Sequence, residues 1–383
     1  MAAFLLFMAI PAWLKHFASV PDPRVQRTRR YSLQTVLTVV LLGTICEAEG
    51  WEAMEDLSEC LSPSFREALG LPSVLPCADT LRRVMGALDP VAFSEAFSSW
   101  AASLQLPMAG TQVAIDGKSV RGAQRHGGSA LHVVHAWCAE HSMLLGQFAC
   151  DVKSNEITAI PKLLKLLELR GAVVSIDAMG CQKNIAKCIR DKGAEYIFGL
   201  KGNHPTLHHE VLTSFDESTL AQLKRSADTY SEEADKAHGR LEMRRVWVQR
   251  NVSWLQQSEA WPGLCALVLV ESERTIRGVT SREKRAYISS LNAPAERMAS
   301  LVRTHWHVEN RLHWVLDVTF GEDAARVHHK AAAMNLGTIR RTALNLLQCV
   351  DAMPGRSVAA KRRRANRSDE FLLQIVNAKI HSN

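Results

Sequence analysis

The sequence lacks the features that mark zinc-finger, dithiol-redox and membrane-spanning proteins. It contains nine cysteines, but no two of them have the C-x-x-C spacing of a zinc or redox site. The first 13 residues are apolar, but Pro11 interrupts them, and they lack the basic residues with which a secretory signal begins. The apolar run from Val36 to Cys46 covers 11 residues, whereas a membrane-spanning helix needs about 20. These absences predict a cytoplasmic protein with no membrane segment.

Internal repeats and low-complexity segments are also absent, and the composition is that of an ordinary globular protein. Hydrophobic residues make up 47% of the chain and charged residues 22%. Its 383 residues are enough for about two domains with sizeable cores. The net charge of +7 and the sequence pI of about 9.0 favour a polyanionic partner such as nucleic acid. Charge alone does not distinguish this from an ordinary basic surface.

Residues 1–108 are predicted to form an all-helical domain. Apolar residues recur there at three- and four-residue steps, and Ser62, Ser73 and Asp89 mark breaks or caps. The predicted helices are Ser32–Cys46, Trp51–Leu61, Ser64–Leu69, Ala78–Leu88 and Pro90–Leu104. Four arginines precede the first of these helices. They belong either to a solvent-exposed segment that leads into the helix or to an arm that contacts phosphates. We interpret this region as a DNA-binding or accessory domain.

From residue 109 the pattern changes to strands that alternate with helices. The predicted strands are Thr111–Asp116, Leu131–Cys138, Met143–Cys150, Val173–Asp177 and Glu195–Leu200. The predicted helices between them are Glu156–Leu169 and Gln182–Lys192. The order β-β-β-α-β-α-β predicts an α/β fold with a mixed sheet, in which an antiparallel meander is followed by two parallel strands. We expect this domain to cover residues 109–350.

The alternation weakens between about residues 204 and 300, which we interpret as an insertion of mixed strands and a helix. An amphipathic helix is predicted from about Pro294 to Leu316, and another over Ala332–Val350. The tail, residues 351–383, has seven basic and three acidic residues, a net charge of +4. Its run KRRR predicts a solvated end, with contact to a DNA backbone as the second interpretation.

Two aspartates lie at predicted strand ends. Asp116 ends the first strand, beside Gly117 and Lys118, and Asp177 ends the fourth. These strands are neighbours in a ribonuclease-H-like sheet, which would bring the two carboxylates together. A small group of carboxylates that is open on one side can hold Mg²⁺ beside a phosphate. Aspartate is also a common turn and cap residue, so Asp177 could instead cap the next helix.

A third carboxylate comes from the amphipathic helix. Four polar residues at successive four-residue steps share one face of it: His305, Glu309, His313 and Asp317. Glu309 is the candidate ligand, although a salt-bridged surface would give the same pattern, and the spacing is not the H-E-x-x-H of zinc enzymes. Arg303 and Trp306 are candidate DNA contacts, because a guanidinium binds phosphate and an indole stacks on an unpaired base.

These segments together resemble the DDE transposases of bacterial insertion sequences, specifically the ISAs-type family that includes the H-repeat-associated proteins. The matching stretches are Ala114–Ala123, Lys153–Leu164, Ser175–Ile189, Tyr196–His208, His238–Arg245, His305–Arg326 and Asn335–Leu347. They occur in the family's order across about 240 residues. The N-terminal section also resembles the helical domain that precedes the catalytic domain in this family.

The resemblance implies a ribonuclease-H-like catalytic domain with an insertion before its last acid. It places the family's two aspartates and its glutamate on Asp116, Asp177 and Glu309, which would hold two Mg²⁺ ions, with Mn²⁺ as a possible substitute. The implied activity is cleavage of DNA at the element's ends and transfer of the freed 3′-OH into target DNA. The implied partners are double-stranded DNA and further copies of the chain, as a homodimer or larger, in the bacterial nucleoid.

Further DNA contacts follow from the resemblance, which is incomplete around Glu309. Four basic residues are candidate phosphate contacts, with ordinary surface charge as the alternative: Lys118, Lys201, Arg240 and Arg244. The related larger group has a Tyr, Arg, Glu and Lys signature around its glutamate. In this chain His305 replaces the arginine, and no lysine follows Glu309 within two turns.

Two other functions stay open at this point. A metal-dependent DNA nuclease without strand transfer would use the same three carboxylates. A catalytically inactive, transposase-derived DNA-binding protein would keep the fold and the basic surface but cleave nothing.

Overall fold

The computed structural model describes residues 10–123, 131–150, 156–237 and 240–378. The first nine residues of the apolar N-terminus, residues 153–155 of one family motif, His238 and Lys379 lie outside these ranges. The described part of the chain contains a group of N-terminal helices, one large mixed sheet and a group of C-terminal helices. It is a mixed α/β fold, as the strand and helix pattern predicts.

The N-terminal region is helical, in agreement with the periodicity of its apolar residues. Its helices are α1 Ala12–Phe17, α2 Leu33–Ile45, α3 Trp51–Cys60, α4 Pro63–Ala68, α5 Ala78–Ala87 and α6 Pro90–Ser103. The predicted caps at Ser62 and Asp89 are confirmed, since their side chains accept hydrogen bonds from the amides of Phe65 and Val91. A proline follows each cap at the first helical position, where no amide hydrogen bond is needed.

The first half of the sheet closely matches the predicted elements. These are β1 Gln112–Val120, β2 Leu131–Cys138, β3 Met143–Cys150, α7 Glu156–Lys165, β4 Val173–Ile176, α8 Lys183–Asp191 and β5 Glu195–Leu200. The strands β1, β2 and β3 are antiparallel, and β4 and β5 are added parallel to β1. The turn between β2 and β3 includes Ser142, which is in the left-handed backbone region.

The predicted insertion extends this sheet. Its elements are α9 Pro205–Ser214, α10 Glu217–Leu223, β6 Tyr230–Ala237, β7 Arg240–Gln249, β8 Ala266–Ile276 and β9 Val279–Ser289. Because β9 pairs with β5, the described strands form one nine-stranded sheet in the order β3-β2-β1-β4-β5-β9-β8-β7-β6. The insertion therefore supplies four of the nine strands and enlarges the surface on which the later helices pack.

Two long helices close the fold over the sheet. They are α11 Ala295–Val308, which continues through π-helical segments at Glu309–His313 and Val315–Thr319, and α12 Lys330–Cys349. The largest apolar core contains Phe93 of α6, Leu144 of β3, Leu312 of the first π-helical segment and Ile339 of α12. The N-terminal helices thus share a core with the sheet and α12, and the division at residue 108 stays a prediction. None of the helices in the described ranges has both the length and the apolar character that crossing a membrane requires.

The C-terminal segment differs from the predicted solvated end. Two further helices follow α12: α13 Val358–Ala365 and α14 Asp369–Val376. Lys361 is buried, and its Nζ donates hydrogen bonds to the carbonyls of Leu347 (2.7 Å) and Val350 (3.3 Å) at the end of α12. Arg362 is buried and donates to the carbonyl of Thr44 at 2.9 Å. The prediction is wrong for these two residues, because free carbonyls at helix ends attract cationic side chains.

Candidate active site

Asp116 lies within β1, at the point where β1 stops pairing with β4. The parallel ladder ends at the pair Ile115 and Ile176. The strand was predicted to end at Asp116, but it extends to Val120 because β2 continues to pair with it. Asp177 is the first residue after β4. The two aspartates therefore follow the last paired residues of adjacent parallel strands.

The helix that carries the predicted polar face becomes π-helical at Glu309. Segments of this kind are rare and occur frequently at functional sites. The face is directed toward the sheet: Nδ1 of His305 lies 2.9 Å from Oγ of Ser175 in β4. Burial lowers the pKa of His305 to about 4, so its imidazole is neutral at neutral pH. At the position where the larger group has an arginine, this chain thus places a neutral histidine bonded to the sheet.

Asp116, Glu309 and His313 form a group of potential metal ligands. Each offers one ligand atom, and these atoms all lie within 4.8 Å of one another. The Nδ1 atom of His313 is 3.3 Å from Oε2 of Glu309 and 3.7 Å from Oδ2 of Asp116. His313 is buried, whereas the Glu309 side chain is 62% exposed. The group is open to solvent on the side of Glu309.

The charge of Asp116 is destabilised by its surroundings. Burial raises the pKa of Asp116 to about 6; His313 opposes this rise, and the carboxylates of Glu309 and Asp177 add to it. Carboxylates that are crowded together in this way are stabilised by a bound cation, which supplies the missing positive charge. Asp177 follows the neighbouring parallel strand, and its carboxylate adds to the negative charge that acts on Asp116.

Asp177 is held away from the tightest part of this group. Its Oδ1 accepts hydrogen bonds from the amides of Met179 at 3.0 Å and Gly180 at 3.3 Å. Its side chain therefore closes the turn after β4. The alternative prediction that Asp177 caps the next helix is wrong, because the N-cap of α8 is Gln182. The residue is exposed, so its other carboxylate oxygen can face the site.

Lys118, a candidate phosphate contact, is buried beneath the site instead. Its Nζ is close to three carboxylate oxygens: 2.5 Å from Asp317, 3.2 Å from Glu322 and 3.4 Å from Asp323. These acids belong to the second π-helical segment and to the loop after it. The predicted phosphate contact does not fit this position, because three anions already surround the ammonium group. Lys118 joins the strand of Asp116 to the segment that follows Glu309.

Arg341 of α12 completes this buried ion cluster. Its two terminal nitrogens donate to both carboxylate oxygens of Glu322, at 2.5 and 3.1 Å. Its Nε donates to Nε2 of His135 at 3.0 Å, and His135 is paired with Asp116 across β1 and β2. Burial and the adjacent Arg341 hold the pKa of His135 well below its usual range. The ring of His135 lies 5.7 Å from that of His313, so the cluster reaches the metal-ligand group.

The ion cluster gives a specific acid dependence of stability. Burial alone would raise the pKa of Glu322, but Arg341 and Lys118 outweigh it and lower this pKa from 4.5 to about 2. Because the folded value lies below the unfolded one, the ion pairs stabilise the fold fully above about pH 4.5, and this contribution is lost as the pH falls toward 2. The full contribution of this pKa shift to the free energy of unfolding is on the order of 3 kcal/mol.

Urea unfolding between pH 4.5 and 3 measures this dependence. We expect Glu322→Gln to be less stable at neutral pH and to lose less stability than the wild type over this interval. Equal losses in the two proteins would show that Glu322 is not the group responsible.

Gly122 allows the loop that carries two of these acids to approach β1 closely. A Cβ atom there would overlap the carbonyl oxygen of Ala325 and lie 2.7 Å from that of Glu322 and 3.0 Å from that of Asp323. We expect Gly122→Ala to displace the loop and to cost roughly 1–3 kcal/mol in the free energy of unfolding. The control is Gly202→Ala, where a Cβ meets nothing within 4 Å. Equal unfolding free energies for the two variants would contradict this account.

Three arginines predicted to contact DNA are paired with acids in this structure. Arg303 lies 2.5 Å from Glu233 of β6. Arg244 and Arg240 lie 2.7 and 3.5 Å from Glu242 of β7. These partly exposed pairs contribute little to stability and can exchange for phosphates. Their role in DNA binding stays a prediction.

Two other candidates are exposed. Lys201 follows β5 on the surface. Trp306 is 48% exposed, and Cζ of Arg285 lies 4.5 Å from the centre of its ring. Both side chains are accessible to a ligand, and their contacts with DNA stay predictions.

Comparison with known proteins establishes the family. A model described as transposase DDE domain matches residues 108–346, and one described as DDE_Tnp_1-associated matches residues 14–101. The chain belongs to the DDE transposase family. The resemblance to the H-repeat-associated proteins is confirmed by its relatives.

Three relatives illustrate the extent of the similarity. YncI of Escherichia coli O157:H7, which is named as a transposase, is 36% identical over 93% of this chain and 92% of its own length. YhhI of E. coli K12, named as an H repeat-associated transposase, is 34% identical over 89% and 91%. An uncharacterised protein from the dhlA 3′ region of Xanthobacter autotrophicus is 40% identical over 72% of this chain and 94% of its own. The similarity between these relatives and this DDE transposase covers the N-terminal helices of the chain as well as its sheet.

Proposed function

We propose that this transposase cleaves DNA at the ends of an insertion sequence and transfers the freed 3′-OH into target DNA. The observation that carries the proposal is the convergence of Asp116 and Glu309 where β1 stops pairing with β4, with Asp177 directly after β4. These acids come from β1, from the end of β4 and from the helix after the insertion. Membership of the DDE transposase family supports the choice of DNA as the substrate.

The catalytic fold in this proposal is ribonuclease-H-like. The order β3-β2-β1-β4-β5, with three antiparallel strands followed by two parallel ones, supports this interpretation. The accompanying division is a helical domain over 1–108, a catalytic domain over 109–350 with the insertion at about 204–300, and a basic C-terminal segment over 351–383. The helical domain binds DNA or supports the catalytic domain.

Asp116, Asp177 and Glu309 are the residues that would hold two Mg²⁺ ions, with Mn²⁺ as a substitute. The donor set fits, because hard divalent cations prefer carboxylate oxygens and the raised pKa of Asp116 reflects uncompensated negative charge. His313 adds an imidazole nitrogen, a ligand that Mn²⁺ accepts more readily than Mg²⁺. When bound, the ions supply Lewis-acid stabilisation of the attacking and leaving oxygens.

The chain's own residues position the reacting groups. Lys118 holds the segment after Glu309 against β1, and so fixes the distance between Asp116 and Glu309. Lys201, Arg240, Arg244 and Arg303 bind phosphates, and Trp306 stacks on a base that leaves the duplex. Double-stranded DNA is the partner, and pairing of two element ends requires at least a homodimer during the reaction.

Strand transfer distinguishes this function from its alternatives. Purified protein is incubated with precleaved element ends and supercoiled plasmid in Mg²⁺, and products are separated on gels. We expect plasmid molecules covalently joined to an element end. Cutting without joining would favour the nuclease, and DNA binding with neither reaction would favour the inactive DNA-binding protein.

A further inference from the structure

Two adjacent arginines in the middle of α12 are both buried, but they differ in their hydrogen-bond partners. Arg341 is buried, and its guanidinium is bonded to Glu322, to His135 and to the carbonyl of Gly337. Arg340 is also buried, with 8% of its surface exposed. Within the described ranges, no hydrogen bond and no ion pair within 4 Å reaches its guanidinium. The carboxylates of Glu322 and Glu49 attract it only from beyond ion-pair distance. A buried guanidinium whose hydrogen-bond donors are unused indicates room for a ligand or ion.

The Arg340 side chain lines a cavity of about 340 Å³. The cavity lies between α2, α3, α12, α13 and the loop after the second π-helical segment. Arg362 lines it as well: two of its nitrogens donate to the carbonyls of Thr44 and Thr319, but its buried Nε has no partner in the described structure. Arg340 therefore presents unused donors at this cavity, and Arg362 adds a second buried positive charge to its wall.

The charges around the cavity favour an anion in its interior. Arg340 and Arg362 are buried, Arg326 is exposed, and the two acids that line the cavity, Glu49 and Glu52, are exposed. The acids are therefore solvated, although Glu49 also attracts both buried arginines. A guanidinium presents its donors in a planar fork that matches two oxygens of a phosphate.

We propose that this cavity, the Arg340 cavity, binds a phosphate oxyanion. Its source is either the backbone of DNA or free phosphate, and only the first source rests on the proposed function. Gly321, Ala324 and Ala325 form part of the cavity wall, in the same loop as Glu322 and Asp323. An anion bound there contacts the same loop that Lys118 holds through Glu322 and Asp323.

Thermal unfolding tests the site without DNA or activity. Wild type, Arg340→Met and the control Arg363→Met are compared in phosphate and in chloride at equal ionic strength. Arg363 is an exposed arginine of α13, so the control removes the same charge. Phosphate also stabilises proteins in general, and the comparison between variants removes this effect.

We expect phosphate to raise the Tm of the wild type and the control by roughly 1–3 °C more than that of Arg340→Met. In chloride, Arg340→Met gives the baseline from which its phosphate response is measured, since this variant also loses the attraction between Arg340 and the Glu322 carboxylate. The proposal is overturned if all three proteins respond equally to phosphate, or if Arg340→Met is less stable in chloride and keeps the response.

DNA binding at increasing salt identifies the source of the phosphate. If the Arg340 cavity takes a DNA phosphate, Arg340→Met lowers the slope of log affinity against log salt by about one. An unchanged slope, with the phosphate response of Tm lost, assigns the site to free phosphate. Strand-transfer assays are separate from both measurements, so failure of this proposal and of the proposed function are distinguishable.

Discussion

Glu309→Gln is expected to lower the rate of Mg²⁺-dependent DNA cleavage by at least about 10³-fold. The substitution keeps the size of the side chain but removes the negative charge that a divalent ion needs. Glu309 is largely exposed and lies at the start of a π-helical segment, so we expect the variant to fold, which its urea unfolding curve checks. Duplex affinity, measured in Ca²⁺ or without metal, should remain within about twofold of wild type.

The matched control is Glu296→Gln, in the exposed first turn of α11. It removes the same charge from the same helix at a distance from the ligand group, and we expect wild-type cleavage. Cleavage that survives Glu309→Gln, or that is equally impaired in both variants, would remove Glu309 from the site.

Lys118→Met is expected to cost about 3–5 kcal/mol in the free energy of unfolding, and to abolish cleavage. The methionine fills most of the space of the buried lysine but leaves Asp317, Glu322 and Asp323 without its positive charge. Repulsion among these acids should displace the segment that follows Glu309. Urea unfolding and a cleavage assay measure the two effects.

Two comparisons separate this role from a phosphate contact. Lys187→Met breaks an exposed ion pair with Asp191, and we expect unchanged stability and cleavage. A lysine that contacts phosphate would lower the salt slope of DNA binding by about one and leave stability intact. That pattern in Lys118→Met would contradict the buried position of its ammonium group.

Local signals in the sequence predict the elements of this fold well. The strands β2 and β3 have their predicted bounds, and Ser62 and Asp89 cap helices as expected. Such features depend on residues within one turn or one strand, so periodicity and cap chemistry are sufficient. The polar face that includes Glu309 is visible for the same reason, because its four-residue spacing lies within one helix, and the role of Glu309 as a metal ligand stays a prediction.

The partners of charged residues could not be predicted in the same way. Lys118 has the sequence context of an exposed strand end, and its burial depends on acids about 200 residues later, in the second π-helical segment and the following loop. The burial of Arg362 likewise depends on a carbonyl of α2 at Thr44. His135 is one of two histidines in a buried strand, and its contact with Arg341 is set by the packing of α12. Each contact is a property of the tertiary structure.

A crystal structure of the protein with Mn²⁺ tests the central claim most directly, since the anomalous signal of the metal identifies its position. The account predicts a peak coordinated by Asp116 and Glu309, with Asp177 as a further ligand to it or to a second ion, and loss of the peak in Glu309→Gln. A structure of active protein with Mn²⁺ bound elsewhere, and none between these acids, would contradict it.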